Sequence, residues 1–245
     1  MKICILIPTY KEYDNLKKLI PLLHEKIYTK MPEVQFTTLV VDDNSPDNTK
    51  KLLADFSKKY SHLKTSYGDK KGIGAAMKRG YLFAMTKIKP DSIATLEADF
   101  VVNPKELIPM IKKSKNFDVV LASRSNEKEY YGGLTIRRLM HVLVNTIICK
   151  VIGGMTQVHE HTAACRVIKV KGILDKINMN SLPNGYAFFG VILFPLSKVT
   201  DKFYEHKVPF FERTVGQSKM SIKKLKPMIK EMKDYLGAAI KNRIS

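Results

Sequence analysis

Short apolar runs at residues 3–7, 38–41, 92–96 and 119–122 are separated by longer stretches whose apolar residues recur at helical spacing. A continuous apolar run bounded by polar residues suits a strand covered on both faces, and a helix-length spacer between such runs implies a crossover to a parallel neighbour. Helices are expected over residues 12–28, 48–60, 73–86 and 104–112, the last with Pro104 at a first helical position. The pattern therefore predicts an α/β fold with a mostly parallel central sheet flanked by helices. After residue 125 the alternation gives way to a loop at 126–133, and a partly apolar helical stretch follows. There is no internal repeat and no low-complexity linker, so residues 1–220 read as one domain followed by a segment at 221–245.

Two of the apolar runs end in acidic turns. The first is Val41-Asp42-Asp43-Asn44-Ser45-Pro46-Asp47-Asn48-Thr49, the second Leu96-Glu97-Ala98-Asp99. Ligands of open α/β sheets bind outside the carboxyl ends of the strands, so these carboxylates are placed for a nucleotide and a divalent cation.

Charge points to an anionic partner: 42 Lys and Arg against 23 Asp and Glu give +19. Nucleic acid, an anionic bilayer and a phosphorylated substrate all satisfy that balance. Cys4, Cys149 and Cys165 are too scattered for a disulfide framework or a zinc site and read as reduced core residues of an intracellular protein. The first apolar run is too short for a signal peptide, and no window reaches 18 uncharged apolar residues, so neither a leader nor a transmembrane helix is expected.

Gly72-Ile73-Gly74-Ala75-Ala76-Met77-Lys78-Arg79-Gly80 invites a dinucleotide-binding reading. The segment would follow a third strand rather than the first, and the acidic residue of that fingerprint is missing at its usual spacing. It is either a tight turn into a helix packed closely on the sheet or a helix N-terminus, flanked by Lys70, Lys71, Lys78 and Arg79, that helps to bind phosphates.

Taken in order, these segments resemble a known family. Pro8-Thr9-Tyr10 with Glu12 and Asn15, the Asp42-Asp43 turn, Gly72-Ile73-Gly74-Ala75-Ala76 and Glu97-Ala98-Asp99 are similar to successive motifs of family 2 glycosyltransferases. Ser123-Arg124, Gly132-Gly133, Arg137-Arg138, Cys165-Arg166-Val167, Gly185-Tyr186-Ala187-Phe188, Phe211-Glu212-Arg213 and Gly216-Gln217-Ser218-Lys219 resemble the polyprenyl (dolichyl) phosphate mannosyltransferase branch, over roughly residues 1–220.

The resemblance implies a GT-A type fold and transfer of a hexose from a nucleotide-sugar to a lipid phosphate with inversion. Pro8, Tyr10, Glu12, Asp42 and Asp43 correspond to the base and ribose site, and Lys71, Gly74 and Ala98 complete the expected donor site. Glu97 and Asp99 correspond to ligands of Mg²⁺ or Mn²⁺, ions that favour hard oxygen donors. Arg124, Arg137, Arg213 and Lys219 match positions that hold the acceptor phosphate, for which arginine's forked donors are well suited. Asp99, Arg124 and Arg213 are the expected catalytic residues. The implied donor is GDP-mannose, with UDP-glucose as the alternative, and the implied acceptor is polyprenyl or dolichyl phosphate.

This chain departs from the family pattern at several positions. Glu97 replaces the usual Asp, and Val101 stands where a polar third ligand is common. Ala163-Ala164-Cys165-Arg166 replaces Ser-Gly-Phe-Arg, and Phe189, Gly190 and Val191 follow the Gly-Tyr-Ala-Phe motif in place of polar residues. His141 stands four residues after Arg137, where Ser is typical. A catalytically silent nucleotide-sugar-binding subunit is therefore a second expectation.

In the last segment Ile229, Met232, Tyr235, Leu236, Ala239 and Ile240 recur at helical spacing while Lys230, Lys233, Lys241 and Arg243 occupy other faces. Such a helix either packs on the domain or lies on an anionic membrane surface. The basic run at Lys223, Lys224 and Lys226 favours peripheral contact at the cytoplasmic face, and leaves room for a membrane-anchoring partner subunit. No nucleic-acid motif or basic-aromatic stacking platform accompanies the charge, so nucleic acid is not expected as a partner.

Overall fold

The computed structural model describes residues 1–125, 136–211 and 225–244, with the backbone alone for 136, 137 and 225–228. Its strands are β1 (Lys2–Thr9), β2 (Gln35–Asp42), β3 (Leu63–Tyr67), β4 (Ser92–Thr95), β5 (Val119–Arg124), β6 (Arg166–Lys169) and β7 (Phe203–Val208). They form one sheet in the order β3-β2-β1-β4-β6-β5-β7. Parallel pairing joins β3, β2, β1 and β4, and also β5 and β7, while β6 runs antiparallel between β4 and β5.

The continuous apolar runs are strands covered on both faces. Along β1, Cys4 and Leu6 enter one core and Ile3, Ile5 and Ile7 the other, the two-residue period of a pleated strand. The helices α1 (Tyr13–Leu22), α2 (Thr49–Lys59) and α4 (Leu107–Lys113) cover the second face through Leu16, Leu53 and Met110. The first face is covered by α3 (Ile73–Phe83), α5 (Ile136–Val142, continued by wider turns over Leu143–Ile152), α6 (Phe188–Val191), α7 (Leu193–Ser197) and α8 (Leu225–Ile244). The expected helices thus occur, with α4 preceded by a tighter turn at Pro104–Glu106. The loop expected at 126–133 lies outside the described residues. The three cysteines are free and buried, and no helix among the described residues is long and apolar enough to cross a membrane.

Register brings the acidic turns together. Thr9 pairs with Asp42 and Leu6 with Thr95, so β1, β2 and β4 end at one edge of the sheet. Three of the four non-glycine residues with positive φ among the described residues lie in the turns beyond these ends: Lys11 at 56°, Asn44 at 50° and Phe100 at 60°. Strained backbone of this kind costs about 1–3 kcal/mol per residue and is characteristic of functional turns.

α5 with its continuation and α8 each keep an apolar stripe in solvent. Leu139, Val142, Ile147 and Val151 are exposed on the first, and Ile229, Leu236, Ile240 and Ile244 on the second. The helices meet at a shallow groove lined by Ile148, Ile229, Met232, Lys233 and Leu236. Residues 136–152 contain no carboxylate, and the acidic residues of α8, Glu231 and Asp234, are both half-buried.

Candidate active site

A cleft of about 400 Å³ opens where the strand ends meet. Its lining includes Pro8, Thr9, Tyr10, Lys11 and Glu12 from the turn after β1, Asp43 after β2, and Glu97, Ala98 and Asp99 after β4. Lys70, Gly72, Ile73 and Ala76 from the start of α3, together with Tyr186, complete it.

Local chemistry fixes these turns. Asp42 is fully buried and accepts hydrogen bonds from Ser45 N at 3.0 Å and Ser45 Oγ at 2.5 Å. Ser45 Oγ in turn accepts from Lys11 N at 2.9 Å. Asp42 therefore braces two loops instead of lining the cleft. Asp43 accepts from Arg79 Nη2 at 2.8 Å, and burial raises its carboxyl above the ordinary value despite that hydrogen bond and charge. Asp99 Oδ1 accepts from Val101 N at 3.2 Å, which holds the carboxylate within its own turn. Glu12 accepts from Asn15 Nδ2 at 2.7 Å.

The cationic residues around α3 divide. Lys70 lies 3.6 Å from the centroid of the Tyr10 ring, in the cleft. Lys71 is exposed, 3.8 Å from Asp69. Lys78 donates to Leu182 O at 2.9 Å and Arg79 holds Asp43, so both serve the framework. Gly74 is absent from the lining: a Cβ there would lie 2.4 Å from Pro183 O, showing how closely α3 is pressed against residues 183–185. Gly72 has φ +107°, a region L-residues avoid, and its Cβ would lie 2.3 Å from Asn184 O. The glycines thus provide close packing, while Gly72, Ile73 and Ala76 bring the start of α3 to the cleft.

Arg124, at the end of β5, stands apart from the cleft lining in a buried cluster. Its Nη1 pairs with Glu160 Oε2 and lies 2.7 Å from His141 Nε2. Its guanidinium stacks 4.4 Å from the centroid of Phe210. Phe210 bridges to Val102 and Phe211 N donates to Val101 O at 2.8 Å, so this ring joins Arg124 to the turn that carries Asp99. Burial pushes the Glu160 carboxyl up, but the hydrogen bond from His141 and the charge of Arg124 outweigh it and hold the pKa well below the carboxylate range. Arg213 and Lys219 lie outside the described residues, as does the side chain of Arg137, whose backbone is in α5.

Sequence reasoning did not single out Glu160, Phe210 or the lining role of Tyr186, whereas Lys70, one of the four cations expected beside a phosphate-binding helix start, does line the cleft. Glu160 did leave a signal, as an acid flanked by His159 and His161 just before the buried strand β6.

Among the described residues no group of three or more His, Cys, Asp or Glu is arranged to hold a metal. Glu97 and Asp99 nevertheless suit Mg²⁺ or Mn²⁺ bound with a nucleotide, since Mg²⁺ commonly takes one or two carboxylates and completes its shell with substrate phosphates and water.

A mostly parallel sheet whose strand ends carry acidic turns over an open cleft defines a GT-A type glycosyltransferase fold. The chain belongs to glycosyl transferase family 2, which it matches over residues 4–168. It is 30% identical over 232 residues to polyprenol monophosphomannose synthase of Mycolicibacterium smegmatis, covering 89% of this chain and 80% of that one. It is 26% identical over 227 residues to undecaprenyl-phosphate mannosyltransferase of Micrococcus luteus, covering 90% and 88%. Among solved structures it is similar to glucosyl-3-phosphoglycerate synthase of Mycobacterium tuberculosis in complex with Mn²⁺, UDP and phosphoglyceric acid. The TM-score is 0.63 at 15% identity, covering 96% of this chain and 78% of that one.

Proposed function

We propose that the chain transfers mannose from GDP-mannose to a polyprenyl phosphate such as dolichyl phosphate, with inversion, at the cytoplasmic face of a membrane. The observation that carries this reading is the cleft in which Glu97 and Asp99 face the Pro8–Glu12 turn, Asp43 and Lys70. The mannosyltransferase names of the relatives support the sugar and the lipid acceptor. UDP-glucose is the competing donor, favoured by the neighbour crystallised with UDP.

In this reading Pro8, Tyr10, Glu12 and Asp43 receive the nucleoside, and Lys70 faces the diphosphate. Glu97 and Asp99 would hold a divalent cation, which supplies neutralisation of the charge that builds on the leaving nucleoside diphosphate. A lipid phosphate is already anionic at neutral pH, so its oxygen bonds to the anomeric carbon while the sugar–diphosphate C–O bond breaks and its electron pair leaves with the diphosphate. No proton transfer is required of the protein. Arg137, Arg213 and Lys219 are proposed to hold the acceptor phosphate, and Arg124, paired with Glu160 and stacked on Phe210, to brace the turn that carries Asp99. The exposed stripes of α5 and α8, rimmed by Arg138, Lys150, Lys230, Lys233 and Lys241, are proposed to seat the protein on an anionic bilayer.

The test is transfer of radiolabel from GDP-mannose or UDP-glucose into an organic-extractable product, using purified protein, polyprenyl phosphate in detergent, and Mn²⁺, Mg²⁺ or EDTA. Metal-dependent label from GDP-mannose is expected. Label from UDP-glucose alone replaces the donor, and nucleotide binding without product identifies a silent subunit.

A further inference from the structure

The carboxylate of Glu231 departs from the basic character of α8. Its Oε2 accepts a hydrogen bond from Ala187 N at 2.5 Å. Gly185 makes the approach possible, since a Cβ there would lie 1.8 Å from Oε1. One turn further along α8, the buried Tyr235 ring covers Gly190, where a Cβ would lie 2.3 Å from Cε1. Between these two contacts, α8 grips the Gly185-Tyr186-Ala187-Phe188 segment and the start of α6.

That segment is also a wall of the cleft. Tyr186 lines it directly. Asn184 O accepts from Ala75 N at 3.2 Å, and Leu182 O from Lys78 Nζ at 2.9 Å, which ties the same stretch to the first turns of α3. Gly72, Ile73 and Ala76 of that region line the cleft too. Glu231 thus lies one residue from a lining side chain while belonging to the helix that carries the exposed apolar stripe.

We propose that Glu231 is a positioning residue for the donor cleft: it holds residues 184–187 so that Tyr186 and the start of α3 keep their places around the nucleotide-sugar. The proposal rests on the donor reading of the cleft. A carboxylate accepting a backbone N–H is a charge-assisted bond, and releasing it frees the wall without removing any group that touches substrate.

The experiment compares wild-type protein with Glu231→Ala, Glu231→Gln and Glu231→Asp. Calorimetry with GDP and with UDP in the presence of Mn²⁺ gives nucleotide affinity, donor and acceptor kinetics give KM and kcat, and amide hydrogen exchange reports on residues 183–190. Glu231→Ala should weaken nucleotide binding and raise the donor KM about ten-fold, leaving kcat and the acceptor KM near wild type. Exchange at Ala187 should accelerate. Glu231→Gln, which keeps an acceptor oxygen at the same reach, should recover most of the affinity, whereas Glu231→Asp, one methylene shorter, should not. A lower kcat with an unchanged donor KM would indicate loss of folded enzyme and overturn the proposal, as would wild-type nucleotide affinity in Glu231→Ala. If the wild type itself binds neither GDP nor UDP, the donor reading of the cleft fails first and the proposal with it.

Discussion

Removing Glu160 should be costly in proportion to what it leaves behind. The Glu160 side chain is 3% exposed and that of Arg124 11%, so water contributes little to either charge. Glu160 also accepts from Thr162 N at 2.9 Å and Thr162 Oγ1 at 2.6 Å, and lies 3.1 Å from His141 Nε2. Glu160→Ala removes the carboxylate that balances the Arg124 guanidinium, and breaking a buried pair costs about 3–5 kcal/mol. The residual exposure of Arg124 argues for the lower end, about 3 kcal/mol. With a urea m-value of about 2 kcal/mol/M, the unfolding midpoint should fall by about 1.5 M. Arg124→Met combined with Glu160→Ala should recover part of that loss, because the buried charge that Glu160 balanced is removed with it. The pH dependence has a definite sign. The folded pKa of Glu160 is depressed, so its stabilisation is complete above the unfolded carboxylate value of about 4.3 and is lost as the pH falls toward the folded value. The gap in stability between wild type and Glu160→Ala should therefore narrow below about pH 4. A Glu160→Ala protein within about 1 kcal/mol of wild type at pH 7 would refute the assignment of a charged, buried pair.

Other consequences are open to direct measurement. Asp99→Ala should lower metal-dependent turnover by about 10²-fold or more with an unchanged circular dichroism spectrum, and near-wild-type activity would remove Asp99 from the cation site. Gly72→Ala places a Cβ 2.3 Å from Asn184 O at φ +107°, and should cost at least about 1–3 kcal/mol in thermal unfolding. Val151 and Ile240 are 65% and 47% exposed, so changing both to Glu should leave the melting temperature nearly unaltered. The same pair of changes should abolish flotation with phosphatidylserine vesicles; flotation retained by the double variant would move the membrane contact elsewhere.

Much of the fold is legible because burial on both faces forces uninterrupted apolar runs, as in β1, β2, β4 and β5. Strand β6 escapes notice because it spans only Arg166–Lys169 and begins with a charged residue. Arg166 is nonetheless 1% exposed, its guanidinium donating to Phe189 O at 2.7 Å and to Ala163 O. Strand β7 escapes because Glu205, His206 and Lys207 dilute its pattern at a sheet edge. At the site, the acidic turns are readable because strand ends follow from apolar periodicity. The division of labour within them is not: Asp42 and Asp43 are adjacent in sequence, yet pleating turns one toward Ser45 and the other toward the cleft. Glu160 and Arg124 are 36 residues apart and meet only through sheet pairing.

The placement of β6 bears on how such a chain is assembled as it is synthesised. Strands β1 to β4 can pair with one another as they emerge, but β5 has no neighbour among them, because its partners are β6 and β7. Until residue 169 has been made, β4 presents an open edge and β5 is an apolar strand without a partner. An exposed edge of that kind invites pairing with another chain, and pairings distant in sequence form slowly. A nascent chain paused between β5 and β6 thus exposes an open edge and an unpaired apolar strand at once, the features that make partly folded chains prone to aggregation. The family match ends at residue 168, inside the strand that closes this gap.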